Sequence, residues 1–291
     1  MTHTRRELSE LLERFELGPS RALGQNFVVD PNTVRRIARL ARVGPGSNVV
    51  EIGAGLGSLT LALAETGASV TAVELDRYIV PVLRDVVAEH PVRVVEGDAM
   101  RLDWSELLAG HDSWVLVANL PYNVATPLVL DLLAGVPAIE RMLVMVQLEA
   151  GERLAAEPGS GIYGIPSVKV ALRATARIVG KVGPDVFLPR PRVESALVEV
   201  VRRAELATTA DPDRLVALVE TGFGQRRKML RRSLAALVSP EAFAAAGVSP
   251  EDRPERLSVE DWGRLTEAVV ALGPPSAPRS KPASERDLDA S

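Results

Sequence analysis

Asn48-Val-Val-Glu-Ile-Gly53-Ala-Gly55-Leu-Gly57, followed after a helical stretch by Ser69-Val-Thr-Ala-Val-Glu74, is the part of the chain from which the fold can be read. A short run rich in β-branched residues opens into three glycines, and a second such run ends on a carboxylate; this is the pattern of a parallel β-α-β unit. Glycines at that junction let the backbone turn sharply and a ligand lie against it. Taken alone, the run also fits a plain strand-to-helix turn or a dinucleotide dehydrogenase. A dinucleotide fingerprint spaces its glycines G-x-G-x-x-G and frees helix amides for a pyrophosphate, whereas the spacing here is G-x-G-x-G. That spacing suits a ligand without phosphates.

Working outward, short β-rich runs alternate with helical stretches, and strands are expected near 48–52, 69–74, 92–96, 114–118, 142–147, 176–182 and 196–201. The segment 183–195 is too short for a helical crossover, so the last two strands should pair antiparallel and close a parallel sheet of five. This is an α/β architecture. Upstream, Thr4 with Glu7 is a capping box leading into Leu8, Leu11, Leu12 and Phe15 at helical spacing. Asp30-Pro31 starts a second helix, with Val34, Ile37, Ala38 and Ala41 on its buried face and Gly44 as its stop, and 23–27 is expected to be a loop. Beyond 203 the sequence predicts a small helical domain: one helix from Asp211-Pro212, a second carrying a basic cluster, and a third from Ser258 around Trp262, Leu265 and Val269. The tail is rich in proline and serine and has nothing to bury, so it is expected to be disordered. The expected division is 1–20, 21–203, 204–273 and 274–291.

Composition limits the chemistry. At 291 residues and 46% hydrophobic content the chain can bury a full core, and with no cysteine it has neither disulfides nor thiolate metal sites. His3, His90 and His111 are scattered, so no metal is expected. The start of the chain lacks an apolar signal core, and no apolar run approaches the roughly 20 residues needed to span a bilayer, so a soluble cytoplasmic protein is expected. A net charge of −4 requires any nucleic-acid contact to come from a local patch. Residues 221–232 supply one: Arg226, Arg227, Lys228, Arg231 and Arg232 with no acid. As a helix, this stretch would set Arg227 against Arg231 and Lys228 against Arg232, with Phe223, Leu230, Leu234 and Leu237 on an apolar face.

The chemistry-bearing residues recur at one sheet edge. Glu74 stands 21 positions after Gly53, where a carboxylate can accept from both ribose hydroxyls, and Asp98 follows the third strand, where it can accept from an adenine amine. The fourth strand delivers Asn119-Leu120-Pro121-Tyr122, in which a carboxamide, backbone carbonyls and an aromatic face form a receptor for a planar amine. An adenosine cofactor beside an amine-binding pocket points to methyl transfer. A sulfonium donor needs no phosphate site, metal or thiol.

With these residues in view, the chain resembles the ribosomal RNA adenine dimethyltransferases. The resemblance covers about 21–234 and rests on an ordered series: Leu23-Gly-Gln-Asn-Phe27, Glu51-Ile-Gly-Ala-Gly-Leu-Gly57, Glu74-Leu-Asp76, Gly97-Asp-Ala99, Asn119-Leu-Pro-Tyr122, Met145-Val-Gln-Leu-Glu149, Phe187-Leu-Pro-Arg-Pro-Arg-Val-Glu-Ser195 and Phe223-Gly-Gln-Arg-Arg-Lys228. It implies a Rossmann-like class I methyltransferase sheet of seven strands, mostly parallel, with a small C-terminal helical domain. It implies an S-adenosylmethionine site lined by Asn26, Val28, Gly53, Gly55, Glu74, Asp98 and Asn119, with Asn119, Leu120, Pro121 and Tyr122 holding the target base. Phe187 would be a second aromatic wall, and Arg190 and Arg192 would grip phosphates. The implied reaction is dimethylation of two adjacent adenines near the 3′ end of 16S ribosomal RNA, with a role in small-subunit biogenesis. The partner would be that RNA or a small-subunit precursor, the protein a monomer, and no membrane involved. Two departures stand out: Val28 replaces a leucine common after Gln-Asn-Phe, and Leu148 stands where a lysine is usual, removing one charge that could meet RNA. Rival readings are a large-subunit adenine methyltransferase of the macrolide-resistance type, a non-catalytic RNA-binding or transcription factor on the same fold, and a nicotinamide dehydrogenase.

Overall fold

The structure, a computed structural model, describes residues 3–20 and 23–273; the expected disorder of 274–291 falls outside them. Among the described residues nine strands follow one another: β1 (Phe27–Val28), β2 (Asn48–Ile52), β3 (Ser69–Glu74), β4 (Val92–Glu96), β5 (Trp114–Asn119), β6 (Ile139–Gln147), β7 (Ala174–Val182), β8 (Phe187–Leu188) and β9 (Ser195–Arg202). Seven of them form one sheet in the order β4-β3-β2-β5-β6-β9-β7. The first five are parallel, and β9 inserts antiparallel between β6 and β7, as the short 183–195 connection requires.

Both faces of this sheet are buried, so its central strands are continuously apolar rather than alternating. On one face Leu116, Val144 and Val198 pack with Leu128 and Leu132 of the helix Ala125–Gly135. On the other, Val49, Val117, Leu143 and Leu197 pack with Val34, Ile37 and Ala41 of the helix Pro31–Ala41. Asp30 caps that helix by accepting from the Thr33 amide at 2.8 Å, but the helix ends at Arg42, in the left-handed region at φ 48°, and not at Gly44. Arg42 reaches from this position to the buried Glu199. The capping box at Thr4 and Glu7 starts the helix Arg5–Arg14, whose Leu8 and Leu12 join Phe27, Val29, Leu56, Ile79 and Val82 in a satellite cluster.

One feature goes beyond the sequence expectation. The segment 23–27 is not wholly a loop: Phe27 and Val28 pair antiparallel with Leu188 and Phe187, and the Val29 amide adds a bond to the Val186 carbonyl at 2.8 Å. The strap formed this way joins two motifs 160 residues apart in sequence (27 to 187).

The described residues fall into two compact units that divide between Thr209 and Ala210. Residues 203–207 remain tied to the first, through Arg203 N–H to the Arg173 carbonyl at 2.8 Å and Ala207 N–H to that of Leu172 at 3.0 Å. The second unit packs the helices Pro212–Gly224, Leu230–Ser233, Pro240–Ala246 and Val259–Leu272 around the fully buried Trp262. The single helix expected to carry the basic cluster is broken. The helix Pro212–Gly224 ends in glycine, the poorest helix former but proline, and 225–229 turn before the short helix Leu230–Ser233. Leu230 and Arg231 donate their amides to the carbonyls of Asp252 and Pro250, partners that a continuous helix would forgo. The four-residue spacing of Arg227 with Arg231 and of Lys228 with Arg232 therefore does not place them on one helical face.

Candidate active site

The strand order places a crevice between the carboxyl ends of β2 and β5, where chain direction through the sheet reverses. Because Ile52 is in register with Ala118, the next residues, Gly53 and Asn119, come side by side; a Cβ on Gly53 would stand 3.5 Å from the Asn119 carbonyl oxygen. A cavity of about 260 Å³ opens there. Asn26, Val28, Gly53, Gly55, Glu74, Asp98, Asn119, Leu120, Pro121 and Tyr122 all line it.

The strap forms one wall. Gly55 has φ +54°, and a Cβ there would lie 3.0 Å from the Phe27 ring, so a side chain at 55 is excluded by both backbone and neighbour. Gly24, at φ +63°, lies against Pro121 and Asn123 in the same way. Gln25 accepts from the Ser20 amide at 2.7 Å and donates to Asp76 Oδ2 at 2.9 Å, fastening the strap near the Glu74 end of the cavity. At the other end, Asn119 Nδ2 donates to the Asn26 carbonyl at 2.9 Å. That bond uses the amide's donor side and leaves Oδ1 as the acceptor available to an entering ligand.

Glu74 is held equally firmly. Its Oε2 accepts from the Gly55 amide at 2.7 Å and its Oε1 from the Asp76 amide at 2.9 Å, and each oxygen keeps a second lone pair. Burial pushes this carboxyl above the usual range, opposed by the same backbone N–H groups. Asp98 is oriented by accepting from the Met100 amide at 2.9 Å. Leu120 is pinned by its amide, which donates to the Met145 carbonyl at 3.1 Å, and by its buried side chain. Tyr122 is half-buried, and its hydroxyl lies 2.8 Å from Ser195 Oγ.

The sequence reading gave no role to Leu8, Gln25, Glu51, Leu75, Met100 or Asn123, which also line the cavity. Gln25 had a visible signal in the Gly-Gln-Asn-Phe run, as did Glu51, a carboxylate inside an apolar strand beside the glycine turn. Leu8 had none. Burial pushes the Glu51 carboxyl up to about 8, with the Thr60 hydroxyl opposing and the Glu74 charge adding to the rise. Glu51 Oε2 and Ser58 Oγ, both on the lining, are buried without a hydrogen-bond partner. Among the described residues the lining carries three carboxyl groups, Glu51, Glu74 and Asp98, and no lysine or arginine. With no cation to meet it, a pyrophosphate would find this surface a poor receptor.

The other sequence-derived residues lie elsewhere. Phe187 is fully buried and packed with Val28, Val34 and Leu197, because its strand pairing with Val28 turns it into the core. It forms no wall of the cavity, contrary to expectation. Arg190 and Arg192 are exposed on the following loop, with Arg190 3.1 Å from Asp185. In the second unit Arg227, Lys228 and Arg232 are exposed, Arg226 is half-buried, and Arg231 is 3.8 Å from Glu251.

The chain is similar to several known proteins. A family model described as ribosomal RNA adenine dimethylase matches residues 20–270. The chain is 48% identical over 276 residues to a ribosomal RNA small subunit methyltransferase A of Streptomyces coelicolor, spanning 91% of this chain and 96% of that protein. It is 45% identical to the protein of the same name in Thermobifida fusca, over 90% of this chain and 94% of that one. Among solved structures, the 23S rRNA methyltransferase ErmE is similar with a TM-score of 0.66 at 28% identity, covering 84% of this chain and 99% of that one. A dimethyladenosine transferase from Plasmodium falciparum shares the fold, with a TM-score of 0.68 at 23% identity over 81% of this chain and 94% of the other.

Proposed function

The chain belongs to the ribosomal RNA adenine dimethylase family, and from that premise we propose that it transfers methyl groups from S-adenosylmethionine to the exocyclic amines of two adjacent adenines near the 3′ end of 16S ribosomal RNA. The observation that carries this reading is the Asn119 carboxamide, tied through Nδ2 to the strap with its oxygen left free, in a cavity that also holds Gly53, Gly55, Glu74 and Asp98. When bound, the cofactor supplies an electrophilic methyl on a sulfonium. Glu74 would hold the ribose hydroxyls and Asp98 the adenine amine of the cofactor.

Adenine's exocyclic nitrogen is a poor nucleophile because its lone pair is delocalised into the ring. Asn119 Oδ1 and the Leu120 carbonyl act as acceptors for its two N–H bonds and draw the amine toward tetrahedral geometry. Pro121 stiffens the turn, and Tyr122 stacks on the base at roughly 1–3 kcal/mol. No general base is needed before attack, because the nitrogen becomes acidic only as it gains the methyl. Positioning supplies much of the acceleration. The base must leave its stack to enter, at a cost of a few kcal/mol that is smallest in a loop. Arg190, Arg192, Arg226, Arg227, Lys228, Arg231 and Arg232 would meet phosphates.

Small-subunit RNA, or a precursor particle containing it, is favoured over large-subunit RNA because relatives with the small-subunit name are 43–48% identical over about nine-tenths of the chain, against 28% for ErmE. No helix among the described residues is long and apolar enough to cross a membrane. We read the protein as acting in the cytoplasm as a monomer. Mass spectrometry of 16S RNA from cells with and without the protein tests the activity: the two dimethyladenosines should vanish with it. Methyl incorporation into purified large subunits instead of small ones would reject the assignment.

A further inference from the structure

Tyr122 lies in the turn beyond β5, where an aromatic side chain is free to swing about its first torsion unless something holds its far end. Ser195 is placed to do that. It is fully buried as the first residue of β9, in register with Gln147 on one side and Val182 on the other, so its hydroxyl is a fixed point of the sheet. Tyr122 spans the gap from the catalytic turn to this point, and the two hydroxyl oxygens are 2.8 Å apart. Anchoring the para oxygen of a ring whose Cα is also fixed, through the Leu120 amide and the Val124 amide to the Pro121 carbonyl at 3.2 Å, sets the direction of the ring's long axis and so where the ring lies.

We propose that Ser195 is a positioning residue whose hydroxyl fixes the long axis of the Tyr122 ring in the place from which it stacks on the target adenine, so that the far end of the 187–195 segment sets the geometry of methyl transfer. The inference rests on the base-stacking role given to Tyr122 above. The engaged phenol is held protonated by burial, although Ser195 opposes the shift, and its work is geometric and not proton transfer. The bond also links the loop bearing Arg190 and Arg192 to the catalytic aromatic through only Val193 and Glu194.

The test compares full-length S195A, Y122F and the double variant in steady-state methylation of small subunits. Parallel titrations use S-adenosylmethionine and an RNA carrying 2-aminopurine at the target position. Each single variant should lose roughly tenfold in kcat with KM for RNA changed by no more than about twofold, since small misplacements of a stacked substrate act on the transition state. The double variant should be no worse than either single one, as expected for two groups sharing one interaction. Cofactor affinity should be unchanged, and 2-aminopurine, quenched by stacking in the wild type, should be brighter in all three. Full kcat in S195A, losses that multiply toward a hundredfold, or an effect confined to KM would overturn the proposal. Should S195A not fold, Y122F removes the same bond from its half-buried side, and full kcat there is equally decisive. If methylation is found only on large-subunit RNA, the substrate assignment fails, and the same comparison with that RNA still decides the role of Ser195.

Discussion

Replacing Asn119 by alanine removes one acceptor and the strap bond together, so kcat should fall by at least about a hundredfold, as when one preorganised polar group is deleted from an active site. RNA association, measured by filter binding, should be largely preserved; equal loss of both would contradict a division of labour between catalysis and RNA binding. Glu51 gives a second test through stability. Its folded-state pKa of about 8 stands above the ordinary value near 4.3, so the folded protein binds the extra proton across that window and loses stability as pH rises through it. Glu51→Gln removes this penalty. The variant should be about as stable as the wild type at pH 4.5 and more stable at pH 8, by on the order of a few kcal/mol in unfolding free energy; calorimetry across that range checks it. Glu74, shifted in the same direction, keeps some of the slope in both proteins. At this scale Asn119, Glu74 and Asp98 were legible because each follows a recognisable strand, whereas Phe187 was misread because an aromatic between prolines looks alike whether it faces solvent or the core.

At the scale of elements, Arg202 is the clearest case of one side chain finishing another segment. Its guanidinium donates to the carbonyls of Leu132, Leu133, Val136 and Ile139, closing the carboxyl end of the helix Ala125–Gly135, where Val136 offers neither a glycine nor an amide to spare. Arg202→Met keeps the stem and loses these bonds, and should cost about 1–3 kcal/mol by urea denaturation. Since that helix starts just after Tyr122, activity at 45 °C should fall before activity at 25 °C. The sheet was legible because buried parallel strands are written as unbroken apolar runs, and the antiparallel closure because a twelve-residue link cannot cross over. The two-residue strands Phe27–Val28 and Phe187–Leu188 were not: their pairing joins distant segments, and neither is long enough to show a period. The break at 225–229 was missed for a related reason, because the carbonyls of Pro250 and Asp252 that draw the chain out of the helix lie 20 residues downstream and beyond.

For the molecule as a whole, a net charge of −4 confines attraction for polyanions to local clusters. Exchanging the exposed Arg227, Lys228 and Arg232 for glutamine should weaken RNA binding and lower the slope of log affinity against log salt by about 0.7–0.9 for each phosphate no longer neutralised. S-adenosylmethionine affinity, measured by calorimetry on the same protein, should not change. An unaltered slope would remove the second unit from the RNA interface. The sequence pattern changes after 203, whereas the compact units divide at 209 and 210, where bonds from Arg203 and Ala207 that no local pattern announces tie the intervening residues to the first. Finally, the residues proposed to hold the methyl donor hang from β2, β3 and β4, and those proposed to hold the base from the end of β5 and the turn after it. The scaffold is thus modular at its centre: an engineer could rewrite residues 120–123 and the loop before Ser195 to admit a different nucleophile without disturbing the machinery that recognises the alkylating agent.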